Sequence, residues 1–280
     1  MKTKDEDELK ALVERGIKIP PQPKILLELH RRLLDDDYDL RVLARIIGQD
    51  PGLVAMLFRA ARSPVFARHK TLESVEQVLQ VLGVKQTFSL VQAVALSTAL
   101  SDSSRTAFER FWTRSQEIAQ LAAIIAGNRV SVCNVFPEQA YMAGIFHECG
   151  VPVLMQRFPE YCQALNLGCA TCWPDLAEED ARFNVDHCTI GYLVARHWNL
   201  PDFVCAAIQY HHELPTDEAG AARTLVAILQ LAVHFYHRLS HSDDRLWPKI
   251  RLPVLAELGL HPEDEQEYFD EISERFLARA

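Results

Sequence analysis

The sequence predicts an all-α protein, an N-terminal helical bundle packed on a second helical bundle. Three observations carry this expectation. Apolar residues make up 49% of the 280 and recur at three- and four-residue spacing. Glycine is scarce, at 11 residues. No set of segments shows the strict alternation that half-buried strands require.

Taken in chain order, residues 5–15 have the composition of a short, solvated helix. "IPPQP" (19–23) is a rigid, non-helical approach, because proline fixes φ and restrains the residue before it. Between Lys24 and Leu34, the residues Ile25, Leu26, Leu29 and Leu33 fall on one helical face. "DDDYD" (35–39) breaks that helix and can cap the next, Leu40 to Ile47, which Gly48 stops. Asp50 and Pro51 suit the N-cap and first turn of a helix reaching about Ala61. Thr71 and Ser74 are candidate caps for "TLESVEQVLQVLG", with Gly83 as its stop. A long apolar helix covers about 84–100, and polar "SDSSR" (101–105) marks the boundary between lobes. Phe108 to Ala126 form another long helix. Helices follow over about 137–148, 151–168, 174–183, 186–197, 201–211 and 217–239. The tail, 253–280, holds "LAELGL" and an acidic amphipathic helix that docks by default on its own domain. The expected divisions are an extension (1–16), a first lobe (17–105), a second lobe (106–245) and a helical tail (246–280).

Composition excludes several classes. No apolar run approaches the roughly 20 residues of a membrane span, and the charged N-terminus has no signal-peptide core. Seven irregularly spaced cysteines read as free thiols in a reducing cytoplasm. The net charge of −9 is uneven: residues 1–110 carry a net of +2 and the remainder −11. Such an acidic field opposes nonspecific binding to nucleic acid.

"AGIFHECG" (143–150) ends an apolar helix in His147 and Glu148, a pair able to hold a metal. A zinc-protease motif is absent, because Val151 stands where its second histidine is needed.

The segments "IPPQPKILLELHRRLLDDD", "LARIIGQDPGLVAMLFRAARSPVF", "EQAYMAGIFHECGVPVL" and "NVDHCTIGYLVARHWNLPDFVCAAIQYHHELP" resemble, in unbroken order over about 17–240, an HDOD domain. The resemblance implies a second lobe like that of the HD and HD-GYP metal phosphohydrolases, and a non-catalytic role in bacterial signalling. Carried over by position, the early ligand histidine of those enzymes falls at Arg114, the His-Asp doublet at His147 and Glu148, later histidines at His187, His211 and His212, and the closing aspartate at or beside Val233. Arg114 has no lone pair to give and Val233 offers nothing. Arg114 is expected to pair with Glu148, its guanidinium filling part of the old metal space.

What the resemblance implies is therefore a cytoplasmic signal-transduction module with no catalytic residues and no cofactor, which binds another protein across the groove between its lobes. With no receiver or cyclase sequence flanking it, it would act as a free-standing adaptor, and a homo-oligomer is compatible with it. The rival is a metal-dependent phosphohydrolase acting on a nucleotide or cyclic dinucleotide, with His147, Glu148, His187, His211 and His212 as ligands of a divalent ion. Otherwise those histidines are hydrogen-bonded core residues.

Two further motifs carry weaker expectations. "LARIIGQDPGLVAMLFRAA" (43–61) outlines a helix-turn-helix, and Arg41, Arg45, Arg59, Arg62, Arg68 and Lys70 could present a basic face. Leu53, Val54, Leu57 and Phe58 read as core, which favours an ordinary helical hairpin whose basic face receives an acidic protein. "CATCW" contains Cys169 and Cys172 without the second pair that a structural zinc needs, and reads as two loop thiols.

Overall fold

Helices account for all regular structure among the described residues of the computed structural model, which are 16–18, 22–34, 38–61, 74–99, 105–167, 172–216 and 219–278. The chain divides into two units, residues 20–99 and residues 100–278, the latter including 16–18.

The smaller unit comprises α1 (Lys24–Leu33), α2 (Leu40–Ile47), α3 (Pro51–Ala61), α4 (Val75–Leu82) and α5 (Val84–Ala99). Side-chain caps start three of them. Asp39 accepts from Arg41 N at 2.8 Å, Asp50 from Leu53 N at 3.0 Å, and Ser74 from Gln77 N at 3.1 Å. Pro23, extended at ψ 146°, precedes α1. The alternative cap Thr71 lies outside the described residues. Leu26, Leu29, Leu43, Ile46, Leu57, Leu79 and Val91 are buried as this unit's core. Leu53 and Leu57 are buried within α3, and Val54 and Phe58 are half-buried.

The larger unit begins with α6 (Arg105–Cys133), longer at both ends than the Phe108–Ala126 expectation. Its last turns are tied down by a distant contact: Arg129 donates to Leu258 O at 2.7 Å and Gly259 O at 2.6 Å. Then come α7 (Pro137–Phe146), α8 (Gly150–Arg157) and the single turn α9 (Tyr161–Ala164). The expected continuous helix over 151–168 is broken at Phe158, whose φ of −120° and ψ of 94° are the extended backbone imposed by Pro159. Next are α10 (Leu176–Phe183), α11 (His187–His197), α12 (Asp202–Tyr210) and α13 (Ala221–Leu239). The tail forms α14 (Trp247–Glu257) and α15 (Glu265–Leu277). The first of these starts before 253, where Asp244 accepts from Leu246 N at 3.1 Å and Trp247 N at 3.0 Å and turns the chain into its first residue.

Helices α6, α7 and α13 form the centre of this unit, and α15 lays Tyr268 and Ile272 into the same apolar core. Two close approaches set the geometry. A Cβ on Gly144 would lie 2.4 Å from Ala119 Cα, so only glycine lets α7 meet α6 this closely. A Cβ on Gly150 would lie 2.0 Å from His187 O, so the start of α8 rests directly on the start of α11. That contact presents His187 beside the end of α7. No described helix is long and apolar enough to cross a membrane.

Candidate functional site

Arg114 reaches inward from α6 and is 5% exposed. Its Nη2 lies 2.6 Å and its Nε 3.2 Å from Glu148 Oε2, and its Nη1 donates to Cys172 O at 3.0 Å. The guanidinium packs over Phe111 at 4.4 Å and over Trp173 at 3.9 Å. The pair expected from the sequence is thus formed. Burial alone would raise the Glu148 carboxyl, but the Arg114 guanidinium and neighbouring imidazoles outweigh it and hold the group below its usual range.

Four histidines converge next to this pair. His147 is fully buried, and its Nδ1 meets Gly144 O at 2.7 Å. Its Nε2 has no hydrogen-bond partner among the described residues. His187 Nε2 lies 3.1 Å from both His211 Nε2 and His212 Nε2. The His147 and His211 rings meet edge to face at 5.2 Å between centroids. Burial, reinforced by neighbouring imidazoles, pushes His211 well below its ordinary pKa and His212 down to about 3. Burial also lowers His147. His187 goes the other way: burial opposes its charge, but Cys188 and Glu179 outweigh burial and raise it well above the usual value.

Glu179 is the residue that sequence reasoning missed. It is fully buried, accepts from the Tyr161 hydroxyl, and holds both His187 Nδ1 at 2.7 Å and His187 N at 3.1 Å. One signal was available. In "LAEEDARF", Glu179 shares a helical face with Leu176 and Phe183, so α10 turns a carboxylate toward the core. Cys188 was also missed; its Sγ lies 3.6 Å from His211 Nδ1.

The remaining expected positions behave differently. Val233, on α13, packs against the apolar core and supplies no donor atom. Gln230, one turn earlier, donates to His211 O at 3.3 Å and so steadies that histidine's backbone. Of the basic face, Arg41 and Arg45 are exposed on α2. The Arg59 side chain, and Arg62, Arg68 and Lys70 altogether, lie outside the described residues. Cys172 corrects the free-thiol expectation, because it is disulfide-bonded. Cys169 lies outside the described residues. Cys133, Cys149, Cys162, Cys188 and Cys205 are free.

An all-helical unit that gathers an HD-like doublet and later histidines into one interior cluster has the fold of the HD-type phosphohydrolase class. The chain belongs to the HDOD domain family, whose model matches residues 19–214. It is 24% identical over 230 residues to an uncharacterized protein of Treponema pallidum, covering 80% of this chain but only 44% of that protein. Among solved structures it resembles one from Marinobacter aquaeolei, provisionally described as a signal transduction protein, with TM-score 0.70 and 24% identity over 97% of this chain and 63% of the other. A protein of Shewanella amazonensis, provisionally described as a metal-dependent phosphohydrolase, matches with TM-score 0.69 and 17% identity over 98% of each chain.

Proposed function

We propose that this HDOD protein is a non-catalytic signal-transduction module that acts by binding another protein. The observation that carries the reading is the Arg114–Glu148 pair. A hydrolytic metal centre at the doublet needs fixed lone-pair donors around the ion. Here Glu148 Oε2 receives two N–H bonds from a guanidinium, and a permanent cation occupies the adjoining space. Val233 removes a further donor. These residues do not fit a carboxylate-bearing hydrolytic centre, and no hydrolytic step is derived through one. The signalling description attached to the Marinobacter aquaeolei structure supports the same direction.

The test is turnover of cyclic di-GMP and of a generic phosphodiester by the full chain, supplied in turn with manganese, iron and zinc. No turnover is expected. Chelator-sensitive cleavage above the rate of an Arg114→Ala control would establish the phosphohydrolase rival. Pull-down from the native cell, repeated with Arg41→Ala/Arg45→Ala, then asks whether a captured protein depends on the exposed face of α2.

A further inference from the structure

We infer that His187, His211, His212 and Cys188 form a site for one borderline transition-metal ion of the zinc class, distinct from the His147–Glu148 doublet. The inference does not rest on the protein-binding reading and survives its failure. The ligand atoms of these four residues all lie within 4.8 Å of one another. Zinc–nitrogen bonds of about 2.0–2.1 Å in a tetrahedron place two nitrogens about 3.3 Å apart. The two Nε2–Nε2 separations from His187 are 3.1 Å each. The same tetrahedron places a thiolate sulfur about 3.6 Å from a nitrogen, and Cys188 Sγ is 3.9 Å from His211 Nε2.

The surroundings orient these rings as ligands. His187 Nδ1 is held by Glu179, and His211 Nδ1 meets Ile208 O at 2.8 Å. A ring that donates from Nδ1 carries its lone pair on Nε2, and this carboxylate- or carbonyl-backed arrangement is the usual support for a metal-bound histidine. Hydrogen bonding alone satisfies the cluster poorly. His187 Nε2 holds one proton or one lone pair, yet it faces two ring nitrogens at 3.1 Å, while the adjacent His147 Nε2 has no partner among the described residues. A cation accepts the His187, His211 and His212 lone pairs together.

Donor chemistry selects the ion. Three imidazoles and a thiolate suit zinc, cobalt or nickel, and are poor ligands for magnesium or calcium, which take oxygen. The buried Glu179 carboxylate balances the remaining positive charge through His187. Four protein donors close a tetrahedron and leave no position for a reacting water, so the ion is structural or sensory rather than hydrolytic. It would clamp the start of α11 to the turn after α12.

The experiment titrates the full chain, purified in reducing buffer and dialysed against chelator, with cobalt(II) as an optical probe and zinc as competitor. One ion per chain is expected, with a thiolate-to-cobalt charge-transfer band. Cys188→Ser should abolish that band, His212→Gln should weaken binding at least tenfold, and Glu179→Gln should weaken it about 10- to 100-fold. Glu148→Gln should leave the band in place. Circular dichroism checks each fold, and if Cys188→Ser fails to fold, the half-buried His212→Gln carries the test alone. Absence of stoichiometric binding overturns the site. So does a spectrum indifferent to Cys188 and His212, or loss of the ion in Glu148→Gln protein whose circular dichroism and Tm match the parent, which would place it at the doublet.

Discussion

Arg114 Nη2 and Nε both donate to a single oxygen of Glu148, at 2.6 and 3.2 Å, inside a pocket where each side chain is almost fully excluded from water. Neither charge is tolerable there without the other. Removing one partner of a buried ion pair costs about 3–5 kcal/mol, most of it from the stranded charge. Arg114→Met is therefore expected to destabilise the fold by about that amount. The double variant Arg114→Met/Glu148→Leu should recover most of the loss. Urea denaturation of the three proteins measures it, and a single variant within about 1 kcal/mol of the parent contradicts the finding.

Neutral His211 and His212 make the fold acid-sensitive. Both titrate from a reference of 6.5, and in the folded protein His212 is held down to about 3 and His211 well below the reference. Their contribution is complete above the unfolded value and is lost as pH falls from there toward the folded values, because the unfolded chain then binds protons that the native state does not. The Tm measured in chelator should drop between about pH 6.5 and pH 4, and His212→Gln should flatten that drop by up to one proton. His187, raised in the fold, acts in the opposite window, so its share is lost on the alkaline side. A Tm constant across the acid range refutes the burial of these rings as neutral species.

Gly150→Ala places a methyl group where 2.0 Å separates it from His187 O, so α8 and α11 must part. Overpacking of this kind costs about 1–3 kcal/mol, and more where only backbone can yield. Thermal unfolding should register the loss, and cobalt binding at His187 should weaken with it. An unchanged Tm would mean that the two helices are further apart than described.

Glu265 ties the tail to the body. It accepts from Trp247 Nε1 at 3.0 Å and from Arg251 Nε at 2.5 Å, with His234 Nε2 at 3.4 Å. Glu265→Ala leaves these donors largely enclosed and should cost about 1–3 kcal/mol. Deleting residues 261–280 should cost more, because Phe235 loses its contacts with Tyr268 and Phe269. Limited proteolysis of Glu265→Ala should release α15 first. Resistance equal to the parent would count against this docking.

Much of the fold was legible because its signals are local. Asp39, Asp50 and Ser74 cap the helices that their positions announce, and Gly83 ends α4 at φ +81°. Where the reading failed, the deciding atom was elsewhere or was overlooked. Pro159 breaks 151–168 at its middle. Arg129 prolongs α6 by contacts with Leu258 and Gly259, about 130 residues away along the chain.

The candidate site divides in the same way. By itself the sequence determined the all-helical class and the family likeness, since periodicity and residue chemistry are written in the order of the chain. Only the tertiary structure decided that Glu179 backs His187, that Cys188 stands beside His211, and that His187 Nε2 lies 3.1 Å from the Nε2 atoms of both His211 and His212. Those relationships arise from the crossing of α8, α11 and α12 at Gly150 and Gly191. A crossing distance is a property of packed surfaces, and no local stretch of sequence encodes it.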